Sequence, residues 1–348
     1  MRSIIIIAVV VLLTPFEGWA QYLQYDSKMI DKIKCKIGEI PSKDTKDSVD
    51  YLIDQDYFAV AKAIRDIAGF DKDQRKIFKI DESLYRQCFI LDSVAWEQNI
   101  ECNTNTMLKF FKDKNNNWIE KLPVNYIGIL CKCIDDVYDV NDSIKNRFNR
   151  PRPWYNFWDS EKGGRVNYMK IRQYYPVKKW DEDCLKKTDR SYPSGHSVIC
   201  FASAMVLGEF METLGIDNCQ SEKIRLMRKA SEFAMSRVVL GVHHYSDVRA
   251  SYREAKIILD LIYQDQHFKK DMNKHNSTTN EYNEDYSIGI FKEVAKLRCL
   301  RAYCLTHERY YDGEIKESSD EKSKRLLGFG YECFPGCKGC RFFFTWKY

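Results

Sequence analysis

Three short stretches of the chain combine cations, imidazoles and a glycine-containing turn in a pattern that suits an anionic ligand. A phosphoryl group in transfer spreads negative charge over three oxygen atoms, so a site without metal needs several fixed cations and amide donors. The pattern therefore indicates one phosphate site. Its residues are Lys145, Arg152, Pro153, Pro193, Ser194, Gly195, His196, Ser236, Arg237, His243 and Asp247.

Each residue type in the set has a task at such a site. The side chains of Lys145, Arg152 and Arg237 would supply the positive charge. Ser194 offers a hydroxyl and Gly195 an unhindered backbone N–H, and the apolar run that follows predicts a helix whose N-terminus points at the same anion. The helix end adds amide donors without adding side chains.

The histidines supply the reactive groups. A neutral imidazole that a carboxylate holds in one tautomer can attack phosphorus, and Asp247 follows His243 by four residues, which places both on one face of a helix or turn. A second imidazole, His196, would protonate the leaving oxygen. The three residues together predict nucleophilic catalysis with general acid assistance.

The order and spacing of these residues resemble the signature of the type 2 phosphatidic acid phosphatase superfamily, which also includes the vanadium haloperoxidases. Within it the chain most resembles the bacterial class A non-specific acid phosphatases. The likeness extends to Tyr192, to Ser246 and to an N-terminal stretch that contains Ser48, Tyr51 and Asp54. It covers roughly residues 40–268.

The resemblance implies an all-α helical bundle and a metal-free, cofactor-free phosphatase. His243 would form a phosphohistidine intermediate, Asp247 would orient it, and His196 would act first as acid and then as base. The implied phosphate ligands are Lys145, Arg152, Ser194, Gly195 and Arg237. One departure is His244, where these phosphatases usually carry an aromatic residue; the spacing from Arg237 selects His243 as the nucleophile.

Composition fits a phosphatase of small molecules. With 348 residues, of which 44% are hydrophobic, the chain can form one large domain and an appendage. The net charge of +5 is mild, and basic and acidic residues are interleaved, so nucleic acid is not indicated as a partner. Small phosphomonoesters, mononucleotides among them, are the expected substrates.

The N-terminus predicts export. Arg2 precedes ten apolar residues at 4–13, and Gly18-Trp19-Ala20 ends in the small residue that signal peptidase requires. Ten apolar residues are too few to span a bilayer of about 30 Å. We therefore expect a cleaved signal peptide, a secreted or periplasmic protein, and no transmembrane domain after cleavage.

Apolar residues recur at three- and four-residue spacing through most of the chain, which predicts helices and little else. The predicted helices are 54–67, 84–99, 124–148, 196–214 and 221–264. A polar stretch rich in Asn and Thr predicts a linker. The expected segments are a signal peptide (1–20), the phosphatase-like helical domain (21–272), the linker (273–287) and a small cysteine-rich C-terminal extension (288–348).

Thirteen cysteines suit an oxidising compartment. We expect Cys200 to be the free thiol, buried one turn below the active site. The other twelve cysteines could then form six disulfides, whose pairing the sequence does not give. In the extension, Cys333, Cys337 and Cys340 could also bind zinc together with upstream residues; a disulfide-stapled appendage is favoured. The partner of this extension is unknown.

A cluster of three aspartates in the middle of the chain could indicate a metal site. Asp135, Asp136 and Asp139 have the spacing of a magnesium-binding carboxylate box. A second box is lacking and Lys145 follows on the same predicted helix, so a solvated acidic face is the better interpretation.

Two other functions remain as alternatives. A vanadium-dependent haloperoxidase would hold vanadate with the same cations and imidazole, and halide oxidation after vanadate loading distinguishes it. A non-catalytic secreted binding protein would use the C-terminal extension as its functional part. The intact set His196, His243 and Asp247 argues against the latter.

Overall fold

The computed structural model describes residues 21–45, 48–97, 103–113, 118–153, 158–159, 165–166, 190–272, 330–332 and 341–343. The predicted signal peptide and linker lie outside the described residues. So does the C-terminal extension with its zinc or disulfide alternatives, apart from two three-residue strands.

Helices make up most of the described chain, so the predicted all-α fold is confirmed. Strands are limited there to two small antiparallel ladders, β1 (Trp158–Asp159) with β2 (Arg165–Val166) and β3 (Gly330–Glu332) with β4 (Arg341–Phe343). Short 3-10 helices span Lys43–Thr45 and Trp118–Lys121. The α-helices are α1 (Ser27–Ile37), α2 (Val49–Ala68), α3 (Lys72–Ile77), α4 (Glu82–Glu97), α5 (Thr104–Phe111), α6 (Val124–Phe148), α7 (Gly195–Thr213), α8 (Cys219–Val239), α9 (Tyr245–Ile262) and α10 (Gln266–Asp271).

The helix α7 forms the centre of the bundle and packs against α6, α8 and α9. Between Gly195 and Met211 every residue is buried except His196 and Met205. A helix that is apolar on all sides must be surrounded by other elements. The first turn of α7, which carries the Pro-Ser-Gly-His sequence, is therefore held rigidly against its neighbours.

The long helix predicted over 221–264 is in fact two helices. α8 ends in a Schellman motif: the Gly241 amide donates to the Val238 carbonyl at 2.9 Å, and the Val242 amide donates to the Arg237 carbonyl at 3.1 Å. Gly241 has a φ of 81°, which a glycine adopts without steric cost. The break was missed because the apolar spacing continues through it, and it releases His243 from helical geometry.

The other predicted helix boundaries agree closely with the structure. The limits of α6 are those predicted, and α4 and α7 are each displaced by one or two residues. α2 begins five residues before its predicted start at Asp54, because the Ser48 hydroxyl accepts a hydrogen bond from the Tyr51 amide at 3.0 Å and caps the helix there. Asp54 consequently lies inside the second turn.

The prediction of a solvated acidic face on α6 is wrong for one of the three aspartates, Asp136. Asp136 is fully buried, and its Oδ2 atom accepts hydrogen bonds from the backbone amides of Tyr22 at 3.0 Å and Leu23 at 3.2 Å. Burial raises the pKa of Asp136 to about 7, although these two amides oppose the shift. The N-terminal segment thus covers a carboxyl group that the sequence pattern assigned to solvent.

The cysteines also differ from expectation. Cys35, Cys88, Cys131 and Cys133 form no disulfide with one another or with another described residue, so the expected pairing is not seen in the described part of the chain. Cys88 and Cys133 lie in the core, where a thiol packs as a small apolar group. Cys200 is fully buried on α7, as expected from its spacing.

Among the helices of the described ranges, none combines the length and apolarity needed to cross a membrane.

Candidate phosphate site

The predicted site residues meet where the ends of four helices converge. Lys145 lies in the last turn of α6 and Arg237 in the last turn of α8, while Gly195 and Asp247 lie in the first turns of α7 and α9. The Ser194 amide donates to the Asp247 carbonyl at 3.2 Å and joins the starts of α7 and α9. Residues far apart in the chain are thus assembled around one point.

His243 lies in the turn between α8 and α9 and is 2% exposed. Its Nδ1 atom is 2.9 Å from the Ser191 carbonyl oxygen and 3.3 Å from Asp247 Oδ2. Because a carbonyl oxygen can only accept, Nδ1 carries the proton and Nε2 keeps its lone pair. The Ser191 carbonyl was not predicted, since a backbone acceptor has no sequence signal.

The pKa of His243 is held well below its ordinary value. Burial is the largest cause, followed by the positive charges of Arg152, Lys145, His196 and Arg237. All four belong to the predicted set, so these four charged groups lie close enough to act on the His243 ring. An imidazole in such a place stays neutral, which is the state that a nucleophile needs.

Arg152 contacts the His243 ring directly. One guanidinium nitrogen, NH1, donates to the Val242 carbonyl at 2.8 Å and lies 2.7 Å from His243 Nε2. The same nitrogen is 3.3 Å from His243 Nδ1, so the guanidinium lies beside the ring, close to both of its nitrogen atoms. An anion bound by Arg152 is brought to the same ring.

Asp247 serves both the histidine and its own helix. Its Oδ2 atom accepts the His244 amide at 2.8 Å, and its Oδ1 atom accepts Arg150 NH1 at 2.7 Å. The carboxylate is fully buried, so these partners fix its orientation. A fixed carboxylate can hold the His243 ring in one tautomer.

Arg150 and Asp54 complete a network behind Asp247 that the sequence did not reveal. Arg150 NH2 pairs with Asp54 Oδ2 at 3.0 Å, and Asp54 also accepts the backbone amide and the hydroxyl of Ser246. Burial raises the pKa of Asp54 to about 6, while Arg150 opposes the shift. The alternation Arg150-Pro151-Arg152-Pro153 was the available signal, but only the second arginine was assigned.

The first turn of α7 begins at the site. Ser194 is the N-cap, with its hydroxyl oxygen 3.4 Å from the Ser197 amide and 2.8 Å from the Ser197 hydroxyl. The Tyr192-Pro193 peptide bond before it is cis. His196 is the exposed residue of this otherwise buried turn, so its ring is accessible to a ligand.

Gly195 gives Lys145 room to approach. A Cβ atom added at Gly195 would come 3.2 Å from Lys145 Nζ and 2.9 Å from Asn141 Oδ1, closer than side chains normally pack. The ammonium group therefore lies against the backbone at the N-terminus of α7. Lysine and helix terminus can act on the same anion.

Arg237 is held by packing as much as by charge. The guanidinium is 2% exposed and stacks over the Phe233 ring, 4.7 Å from its centroid. Its Nε and NH2 atoms lie 3.3 and 3.2 Å from the Ser236 hydroxyl. The side chain is therefore fixed in position toward His243, whose pKa its charge lowers.

His244 occupies a different environment from its neighbour. It is the N-cap of α9, and burial, the largest cause, lowers its pKa to about 3. The charges that act most strongly on its ring are those of Asp247, Arg150 and His243. The cations of the predicted cradle act instead on His243, so the geometry favours His243 as the nucleophile.

Metal-ligand clusters are absent from the residues that the structure describes. No group of three or more His, Cys, Asp or Glu side chains converges there as a metal site would require. The carboxyls at 135, 136 and 139 therefore do not form such a group. The positive side chains of Lys145, Arg152 and Arg237 are suited to bind an anionic ligand.

Comparisons with known proteins agree with the motif. Residues 128–270 match the model of the PAP2 superfamily, a segment that contains every predicted site residue. The acid phosphatase of Zymomonas mobilis subsp. mobilis is 28% identical over 155 residues, which cover 44% of this chain and 49% of that protein. The non-specific acid phosphatase of Providencia stuartii is 32% identical over 118 residues, or 32% of this chain and 44% of that protein.

The resemblance predicted from the motif is confirmed by these matches. The matched segment begins within α6 and ends within α10, so it includes the helices that carry the site. The chain spans about half the length of the curated relatives it matches.

Proposed function

We propose that this chain is an acid phosphatase that hydrolyses small phosphate monoesters through a phosphohistidine intermediate on His243. The orientation of His243 carries the proposal. Its Nδ1–H is held by the Ser191 carbonyl, and its Nε2 atom lies 2.7 Å from the Arg152 guanidinium. A neutral imidazole whose unprotonated nitrogen lies beside an anion-binding group can attack phosphorus that this group holds.

The phosphoryl oxygens would be held by the cradle around that atom. Lys145, Arg152 and Arg237 supply charge, and the Ser194 hydroxyl and the Gly195 amide supply donors at the N-terminus of α7. Such fixed donors stabilise the charge that develops on the three equatorial oxygens in the transition state. No step requires a metal ion.

In the first step, His243 Nε2 forms a bond to phosphorus as the bond from phosphorus to the leaving oxygen breaks. Protonated His196 donates its proton to that oxygen, and the alcohol departs. The phosphoimidazolium keeps its Nδ1–H, and the nearby Asp247 carboxylate offsets its positive charge.

In the second step, His196 is neutral and accepts a proton from water as the water oxygen attacks phosphorus. The bond between phosphorus and Nε2 breaks, inorganic phosphate leaves, and the lone pair returns to His243. His196 is again protonated, so the cycle closes with water consumed and one phosphate released.

Export belongs to the same proposal. The charged start, the apolar run at 4–13 and Gly18-Trp19-Ala20 support a signal peptide cleaved after Ala20. Secretion or periplasmic location would supply the enzyme with soluble phosphomonoesters, nucleotides among them. Sequencing the N-terminus of the exported protein tests this, and a mature chain that begins at Gln21 is the expected result.

The activity is tested by release of phosphate from an aryl phosphomonoester at about pH 5.5 with excess EDTA present. We expect turnover that survives chelation and that vanadate, a mimic of the pentacoordinate phosphoryl group, inhibits. A rapid acid quench followed by mass spectrometry should find the phosphoryl group on the peptide that contains His243.

Folded protein without phosphatase activity would overturn the proposal. The same preparation is then loaded with vanadate and assayed for halide oxidation, which distinguishes the haloperoxidase alternative. Activity that EDTA abolishes would contradict the metal-free mechanism and leave the phosphate site to be explained in another way.

A further inference from the structure

A buried carboxyl group stands behind the phosphate cradle, and the mechanism above does not use it. Glu254 on α9 is fully buried, and its Oε2 atom accepts a hydrogen bond from Asn141 Nδ2 on α6 at 2.9 Å. Its other oxygen, Oε1, is buried and lacks a hydrogen-bond partner among the described residues. A buried polar atom without a partner is costly and calls for a physical reason.

The opposite end of the Asn141 amide faces the cradle. Asn141 precedes Lys145 by one helical turn on α6, so the two side chains lie on one face of the helix. Asn141 Oδ1 and Lys145 Nζ both lie beside Gly195, where an added Cβ atom would come within 2.9 and 3.2 Å of them. The Asn141 amide therefore lies between Glu254 and the group that would bind phosphate.

The environment of Glu254 favours its uncharged form. Burial raises its pKa to about 8, and the Asn141 hydrogen bond and the Lys145 charge only partly oppose this. The Lys145 charge acts on Glu254, and the Glu254 charge acts in turn on the Tyr192 phenol. Burial raises the pKa of Tyr192 as well, so the phenol stays neutral.

We propose that Glu254 is a positioning residue for the phosphate site. In its uncharged form, Glu254 anchors Asn141 and leaves the positive charge of Lys145 to bind the substrate. In its ionised form, Glu254 competes with the substrate for that charge. The inference rests on the proposed function, because it assumes that Lys145 binds a phosphoryl oxygen. It assigns a role to Asn141 and Glu254, which the motif does not contain. It also predicts that phosphate affinity weakens in alkaline solution.

Glu254→Gln separates the two states of the carboxyl group. Glutamine has the shape of protonated glutamate and can accept the Asn141 hydrogen bond, but it cannot ionise. We expect the mature wild-type chain and the variant to bind inorganic phosphate equally at about pH 5.5, and the variant to bind about tenfold more tightly at about pH 9, the factor equivalent to one pKa unit. Titration calorimetry measures both affinities without requiring turnover.

Comparison of the two proteins isolates Glu254 from the other titrating groups. Phosphate and His196 also change charge over this range, but they do so in both proteins, so they cancel in the ratio of affinities. A ratio of one at every pH would overturn the proposed ionisation of Glu254. If neither folded protein binds phosphate at any pH, the proposed function itself fails.

Asn141→Leu tests the link to Lys145. We expect phosphate affinity to fall about fivefold at about pH 5.5, the effect of roughly one lost hydrogen bond. Asn125→Leu, at an exposed position of the same helix, is the control and should bind as the wild type does. Unchanged affinity in Asn141→Leu with a lower melting temperature would show that the pair only supports the fold.

Discussion

Arg152 and His243 contact each other through the atom that would carry out the chemistry. The guanidinium NH1 atom lies 2.7 Å from His243 Nε2, and its charge is the largest electrostatic influence that lowers the pKa of that ring. The same arginine thus keeps the imidazole unprotonated and would bring the phosphoryl group to it. Anion binding and nucleophile activation are coupled in one side chain.

This coupling predicts the shape of the acid limb, which is the low-pH side of the profile of kcat/KM against pH. A depressed pKa leaves His243 neutral well below pH 6.5, so activity should persist in acid and decline as His196 loses its proton at higher pH. Arg152→Gln removes a charge that lowers the His243 pKa, so the acid limb should move to higher pH. Arg228→Gln, an exposed arginine of α8, should leave the limb in place; an unmoved limb in Arg152→Gln would contradict the coupling.

The two adjacent histidines should respond differently to substitution. His243→Gln removes the nucleophile, and we expect kcat to fall by at least about 10³-fold without loss of fold. His244→Phe keeps the backbone amide that donates to Asp247, and it introduces the aromatic residue that similar phosphatases usually have there. It should retain most activity; the reverse pattern in steady-state kinetics would make His244 the nucleophile.

The network behind Asp247 should matter for catalysis. Arg150 joins Asp247 and Asp54 with two nitrogens, and a lysine ammonium cannot reproduce this planar fork. Arg150→Lys should therefore lower kcat by roughly tenfold or more, with a smaller change in KM, because the carboxylate behind His243 loses its fixed orientation.

A second ion pair, which joins the same helices α2 and α9, provides a matched control. Arg249 of α9 pairs with Asp50 of α2 at 2.7 Å, and Arg249→Lys should leave kcat unchanged. If Arg150→Lys lowers only the melting temperature and kcat stays at the wild-type value, the network stabilises the fold and has no role in orienting His243.

Gly195 should not tolerate a side chain. In Gly195→Ala the new methyl group meets Asn141 Oδ1 and Lys145 Nζ, so the ammonium group must move. We expect the inhibition constant of inorganic phosphate to rise about tenfold, equivalent to about 1.4 kcal/mol of binding free energy. Gly69→Ala is the control, since its Cβ would make ordinary contacts at 3.6 and 3.7 Å; equal inhibition constants in the two variants would refute the close approach.

Asp136 should make stability depend on pH. Its pKa of about 7 exceeds the ordinary value of 3.8, so the stabilisation from its protonated form is complete below about pH 4 and is lost as pH rises through about 7. Asp136→Asn mimics the protonated carboxyl at every pH. The melting temperature of the variant relative to the wild type should increase from about pH 5 to about pH 8.

The control for this prediction is Asp142→Asn, at an exposed position of α6. Its melting temperature should follow that of the wild type across the same range. A constant difference between Asp136→Asn and the wild type at all pH values would show that Asp136 does not titrate in the folded chain.

Sequence reasoning was most successful where the signal was local. The limits of α6 and the approximate limits of α4 and α7 followed from apolar spacing. The same spacing concealed the break between α8 and α9, because a single glycine with positive φ interrupts a pattern that otherwise continues. Asp136 was assigned to solvent because a segment more than 110 positions away covers it.

The sequence by itself determined which residue types are present for phosphate chemistry and in what order, since motif spacing reflects local backbone geometry. Tertiary structure decided their partners. The Ser191 carbonyl on His243, Arg150 on Asp247 and Asn141 on Glu254 join positions 52, 97 and 113 residues apart. Such contacts depend on how the helices pack around α7, and no periodicity within one segment carries that information.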